Sequence, residues 1–145
     1  MVVPMTGAID QIRDVIARYC QLCDDGRFDE WAELFTPDTR FHVMGRTSEG
    51  RAAAQAFIEA GQTPERRGKH LAVNTVIELD QPDVVGTAPR SARAWTDYIF
   101  VSRDKAITSV GRYHDVLVRD DDGRWRFAVR EIVFLGDSPE ITGLP

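Results

Sequence analysis

The sequence predicts one α+β domain, residues 1–145, in which N-terminal helices close a curved antiparallel sheet around an apolar pocket. Three observations predict it. Helical periodicity ends near Gly61 and strand-like runs fill the rest of the chain, an order that argues against alternating βαβ units. With 145 residues, 43% of them hydrophobic and 28% charged, the chain can bury one core and is too short for two. Short helices beside long antiparallel strands also need a sheet that curls around them.

The first helix is marked by Ile9, Ile12, Val15, Ile16, Tyr19 and Cys23, which recur at steps of three and four and make one apolar stripe. Thr6 or Asp10 supplies its start, and Asp25-Gly26 ends it. A short second helix carries Phe28, Trp31, Ala32, Leu34 and Phe35 and stops at Thr36-Pro37-Asp38, after which residues 40–43 begin a strand. A third helix is expected over residues 51–60, with Ser48 as N-cap and Gly61 as its stop. Residues 64–68 form a loop, and strands are expected over 70–79, 92–101, 107–119 and 124–135. Residues 81–91, with Pro82, Gly86 and Pro89, make a longer connection. Asp120-Asp121-Asp122-Gly123 is a hairpin in which Gly123 offers positive φ.

The net charge of −5 and the pI near 5.2 argue against nucleic acid or an anionic membrane surface as partner, since arginines are interleaved with acids. No apolar run approaches the ~20 residues of a spanning helix. Residues 1–7 lack the basic flank and apolar core of a secretory signal, so a cytoplasmic protein is expected. Cys20 and Cys23 form a C-x-x-C inside the amphipathic pattern without a second ligand pair, and read as small apolar residues. No H-x-x-x-H, G-x-G-x-x-G, P-loop or G-x-S-x-G occurs, so neither metal nor cofactor is expected.

Residues 18–35, RYCQLCDDGRFDEWAELF, and residues 111–134, GRYHDVLVRDDDGRWRFAVREIVF, resemble the opening and the final hairpin of the SnoaL-like branch of the nuclear-transport-factor-2-like superfamily. In that branch the first helix ends in an Asp, here Asp24, and a tight turn follows, here Asp25-Gly26. The second helix closes with Leu-Phe-x-Pro-Asp, here residues 34–38. Gly68-Lys69-His70 introduces a strand where several enzymes of the group place a His. The resemblance implies a cone-shaped, cystatin-like α+β barrel whose pocket lies between the first helix and the concave sheet face. It also implies a catalytic set of Asp24, His70, Tyr19 and Arg130, as in scytalone dehydratase, hexachlorocyclohexane dehydrochlorinase and bile-acid 7α-dehydratase type enzymes.

The chemistry of such a set is definite. A carboxylate beside an imidazole fixes the ring tautomer and stabilises the imidazolium, giving a general base near neutral pH. Tyr19 would donate a hydrogen bond to a leaving hydroxyl or a carbonyl, and Arg130 would stabilise a departing anion. Asp97, His114, Arg112 and Trp31 are expected as substrate contacts. The residues alone leave alternatives open. Asp24 could cap the second helix, His70 could pack at a strand edge, and Tyr19 continues the apolar stripe. Alternation groups Arg126, Ala128, Arg130 and Ile132 against a more apolar face of Trp125, Phe127, Val129, Glu131 and Val133. The functional expectation is a cofactor-independent lyase, dehydratase or dehydrohalogenase, acting on a small, mostly apolar or aromatic cyclic compound. A polyketide cyclase, a ketosteroid-type isomerase, a ligand-binding protein and a dioxygenase small-subunit-like protein remain as alternatives. A homo-oligomer, trimer or dimer, is expected.

Overall fold

The apolar stripe of the first helix becomes α1 (Ala8–Asp24), which buries Ile12, Ile16, Tyr19, Cys20 and Cys23 along one side. The computed structural model describes residues 7–82 and 84–145, so Thr6, one expected start, lies outside the described residues. Gly7 occupies the N-cap with no side-chain bond, and Asp10 sits inside the first turn. Gly26, at φ +70°, turns the chain out of α1, and a Cβ there would run into the Arg67 guanidinium. α2 (Phe28–Ala32) is shorter than expected. Pro37 cannot continue a helix, and the Leu34 carbonyl already accepts the Phe127 N–H at 2.9 Å, which draws Phe35 into the sheet.

β1 (Phe35–Val43) is therefore longer than expected, and it is succeeded by a strand absent from the sequence-based expectation, β2 (Arg46–Glu49). Met44 and Gly45, at φ 54° and 71°, make a two-residue turn with both central residues left-handed, the geometry that suits a tight hairpin. The hairpin takes Ser48 into the ladder opposite Phe41, so Ser48 is not a helix cap. Gly50, at φ 91°, precedes α3 (Arg51–Gly61) in its place. β3 (Lys69–Leu79), β4 (Ser91–Val101), β5 (Ile107–Arg119) and β6 (Trp125–Phe134) fall within a residue of expectation.

The six strands form one open sheet in the order β2-β1-β6-β5-β4-β3. All neighbours are antiparallel except β1 and β6, which run parallel, a departure from the purely antiparallel sheet expected. Register shifts on β3 after Ala72, on β5 beside Ser109 and on β6 at Ala128 bend the sheet, because each extra residue adds local twist. The helices fill the concave side, where Trp31, Phe35, Phe41, Tyr19 and Phe127 interlock with ring centroids 4.5–6.2 Å apart. Each fully buried side chain of this size contributes ~1.5–3 kcal/mol or more, so this cluster dominates the apolar energetics.

The bulge at Ala128 decides where Arg130 points. Val116 pairs with Val129 but Leu117 pairs with Phe127, so Ala128 is extra and the in-out alternation skips once. Phe127 and Arg130, three apart, then share the concave side, contrary to the strict alternation read from the sequence. The buried Thr39 hydroxyl lies 3.0 and 3.1 Å from the carbonyls of Phe127 and Ala128, supplying a donor where the ladder is interrupted.

Candidate active site

Asp24 is the last residue of α1, where a carboxylate faces the unfavourable negative end of the helix dipole. It is held there by β3. The His70 N–H donates to both carboxylate oxygens at 3.2 and 3.0 Å, and His70 Nδ1 lies 2.6 Å from Oδ1. A carboxylate only accepts, so in the neutral ring the proton sits on Nδ1 and Nε2 is the nitrogen with the lone pair. Among the described residues Nε2 has no hydrogen bond. The Asp24 side chain is 3% exposed and the His70 side chain 11%, so the carboxylate is withdrawn from water while the ring reaches an opening. Gly68 makes this seating possible: a Cβ there would collide with the Val101 carbonyl. The chain thus starts β3 tight against β4, with the His70 ring packed on Phe100 at 4.6 Å.

The opening is a cavity of about 210 Å³ between α1, α3 and the concave sheet face. Phe41, Val43, Phe57, Ile58, Phe100, Ile132 and Phe134 give it apolar walls. The polar groups on its surface are His70, Gln62, Ser109 and all three tyrosines of the chain, Tyr19, Tyr98 and Tyr113. Larger depressions exist elsewhere, but neither Asp24 nor His70 borders them. Burial pushes the Tyr19 and Tyr113 phenols well above the ordinary tyrosine range, with Arg130 pulling the other way. Burial also raises Tyr98, against its bond to Ser109. All three phenols therefore stay protonated at neutral pH and can donate.

Arg130 does not line the cavity. It is fully buried beneath it, clamped by Asp115 through two bonds of 2.8 Å. Its guanidinium carbon lies 4.1, 4.0 and 4.0 Å from the ring centroids of Tyr19, Tyr113 and Phe127. Asp115 holds Arg130 in its charged form, and burial pushes the Asp115 carboxyl up against that attraction. Arg130, expected from the sequence to meet a departing anion, thus stands behind the tyrosine wall rather than on it, and its Nη1 has no hydrogen-bond partner among the described residues. It supports the two tyrosines that form the cavity wall.

Of the expected set, the fold brings Asp24, His70 and Tyr19 together, with the Tyr19 and His70 rings 6.5 Å apart and edge-on. Trp31 is fully buried against Tyr19 and Phe35 and takes no part in lining the cavity. Asp97, Arg112 and His114 stand on the convex face, opposite the cavity. Their partners across the ladders are one another and other outward residues: Asp97 pairs with Arg112, and His114 with Trp95 and Glu131. Glu131, also on that face, accepts N–H groups from Glu140, Ile141 and Thr142 and so straps the C-terminal segment across it. Tyr98, Ser109, Tyr113, Gln62 and Phe100 line the cavity without having been expected there. Alternation in AWTDYIFV could have found Tyr98 and Phe100, since the face that excludes Asp97 contains both.

Cys20 and Cys23 are free and buried in α1, and burial raises both thiols, Cys20 to about 11. Among the described residues no group of three His, Cys, Asp or Glu side chains could hold a metal ion, and no helix is long and apolar enough to cross a membrane.

Residues 5–131 match the SnoaL-like domain, and the chain belongs to that family. No curated protein matches it. Among solved structures, a protein of unknown function from Mycobacterium tuberculosis is 27% identical, covering 87% of this chain and 70% of its own, with a TM-score of 0.75. A nuclear-transport-factor-2-like protein with a cystatin-like fold from Novosphingobium aromaticivorans is 25% identical over 89% of this chain and 82% of its own, TM-score 0.73. A protein from Catenulispora acidiphila, solved in complex with S-DNPA, is 26% identical over 87% of this chain and 92% of its own, TM-score 0.69. The architecture is thus that of a SnoaL-like member of the nuclear-transport-factor-2-like superfamily.

Proposed function

We propose that the protein is a cofactor-independent lyase of the dehydratase type, with His70 as general base and Asp24 as its positioning residue. The observation that carries this reading is the 2.6 Å contact between Asp24 and His70 Nδ1 on a ring that borders an apolar cavity. Nε2 removes the proton α to a ring carbonyl. The electrons of that C–H bond form the C=C bond as the β C–O bond breaks, and the proton on His70 passes to the departing hydroxide. Water leaves, and the neutral imidazole is restored. Asp24 stabilises the transient imidazolium, and Tyr19, held neutral by burial, donates to a substrate oxygen. The apolar walls strengthen these polar contacts by keeping bulk water out.

Two probes test it. Deuterium uptake at the α-carbon of 1-tetralone in D2O reads the base step alone, and 3-hydroxy-1-tetralone, which gives 1-naphthol on losing water, reads elimination. Wild type is expected to accelerate both, with His70→Ala slower by about 10²-fold or more. Exchange without naphthol would move the assignment to a cyclase or isomerase. Neither reaction above the buffer rate would leave a ligand-binding role, and both accelerated but unchanged in His70→Ala would refute His70 as the base.

A further inference from the structure

The cavity has a second polar end, remote from His70. Ser109 on β5 stands opposite Phe100 on β4, and Phe100 stands opposite His70 on β3, so one row across three strands reads His70, Phe100, Ser109. A strand spacing of ~4.8 Å sets the outer two backbones about 9–10 Å apart. Tyr98, on the same face as Phe100, brings its phenol to 2.9 Å from the Ser109 hydroxyl. It can lie there because its ladder partner is Gly111: a Cβ at that position would sit 2.8 Å from Tyr98 Cε1 and 3.0 Å from its Oη. The Tyr98 ring is also stacked on Tyr113, with centroids 4.6 Å apart and planes within 7°, so the phenol is held in place from both sides.

A proton count gives this pair a use. Two hydroxyls carry two protons, and the bond between them consumes one. The other has no acceptor among the described residues, while both side chains line the cavity that His70 borders. We infer that the Tyr98–Ser109 hydroxyl pair is the oxygen-recognition end of the cavity. It donates one hydrogen bond to the carbonyl of a flat cyclic ketone whose ring lies over Phe100 and whose α-carbon meets His70. Only the last clause rests on His70 acting as base. At about 210 Å³ the space is smaller than the ~300–1,000 Å³ of drug-sized sites, which limits the ring system to one or two fused rings. A donor aimed at the carbonyl also binds more strongly as enolate charge develops on that oxygen, so the same contact would favour ketones that can be deprotonated.

The test compares the affinity of the protein for 1-tetralone with that for tetralin, the same bicycle without the oxygen, by titration of intrinsic fluorescence. One hydrogen bond inside an apolar cavity predicts about a tenfold preference for the ketone. Tyr98→Phe and Ser109→Ala each leave one hydroxyl with a free proton, so each single variant keeps part of the preference. The double variant is expected to bind the two compounds equally. Equal affinities in wild type, or a tenfold preference that survives in the double variant, would overturn the inference. If the double variant does not fold, the carbonyl stretch of 13C-labelled 1-tetralone bound to wild type and to Tyr98→Phe decides the matter, since a band that the substitution leaves unmoved would assign the donor to another cavity group such as Tyr19. A shift below its frequency in hexane is expected, and an unshifted band would refute the donor. The binding ratio involves no proton transfer, so loss of α-exchange with the preference intact would strike at His70 alone, and the reverse pattern at Tyr98 and Ser109 alone.

Discussion

Two carboxylate–nitrogen pairs, Asp24–His70 and Asp115–Arg130, face the concave side of the sheet, and they differ in their surroundings. Asp24 and His70 meet where a helix end touches a strand start, and one nitrogen of the pair is left without a partner at a cavity. Asp115 and Arg130 meet in the middle of adjacent strands, joined by two parallel bonds and enclosed by three aromatic rings. Tyr19 touches both, standing over Arg130 on one side and edge-on to His70 on the other. The difference teaches that a buried ion pair in this fold is not by itself a sign of chemistry. Both pairs leave one nitrogen without a partner among the described residues. His70 Nε2 belongs to a ring that borders the cavity, whereas Arg130 Nη1 is enclosed, and that difference underlies the proposal of His70 as the base.

The largest effect should come from breaking the supporting pair. Asp115→Ala leaves a fully buried guanidinium uncompensated, which costs about 3–5 kcal/mol and lowers the melting temperature by about 10 °C or more. Asp24→Asn should reverse the balance. Losing charge-assisted bonds there costs about 1.5–3 kcal/mol of stability, while the α-exchange rate falls by about 10²-fold, because the imidazolium is no longer stabilised. Melting curves and exchange rates on the two variants separate the roles. An Asp24→Asn protein with full exchange activity, or an Asp115→Ala protein as stable as wild type, would erase the distinction.

A smaller effect sits between the pairs, in the tyrosines. All three phenols are raised by burial, whereas a tyrosine in the unfolded chain ionises near pH 10. The folded state therefore retains protons that the unfolded state loses, so stability is intact below about pH 10 and declines as pH rises beyond it. Absorbance at 295 nm should show the phenols ionising together with unfolding. A midpoint near 10 in the intact fold would mean that the cavity wall is more open to water than its geometry indicates.

Much of this is legible in the chain and some is not, for local reasons. The helix-to-turn transition at Asp24-Asp25-Gly26 and the strand entry at Gly68-Lys69-His70 are short-range signals, and they locate the two halves of the proposed acid–base pair, although nothing in the sequence shows that they touch. Arg130 is ambiguous because a single bulge at Ala128 inverts the alternation, and a bulge has no signature in the residues RWRFAVRE. β2 escapes detection because its turn puts Met44 in the left-handed region, where Asn, Asp or Gly is the usual signal. Asp97, Arg112 and His114 stand out in the sequence for being polar in apolar strands. Polarity in such a strand marks the outward face at least as often as a site, and here the residues beside them in sequence, Tyr98 and Tyr113, are the ones that line the cavity.

That last contrast gives the smallest expected effect and a clean control. Asp97 and Arg112 bond at 2.6 Å on the convex face, with side chains 30% and 52% exposed. Arg112 lowers the Asp97 carboxyl below its usual range, so the pair is charged at neutral pH. Exposure and salt screen such a bridge, which contributes at most about 1 kcal/mol. Arg112→Ala should therefore shift the melting temperature by a few degrees at most, less at high ionic strength, and leave both 1-tetralone binding and α-exchange as in wild type. A fall in either would mean that the convex face communicates with the cavity through Gly111 and Tyr113. The two faces of the sheet would then have to be treated as one site.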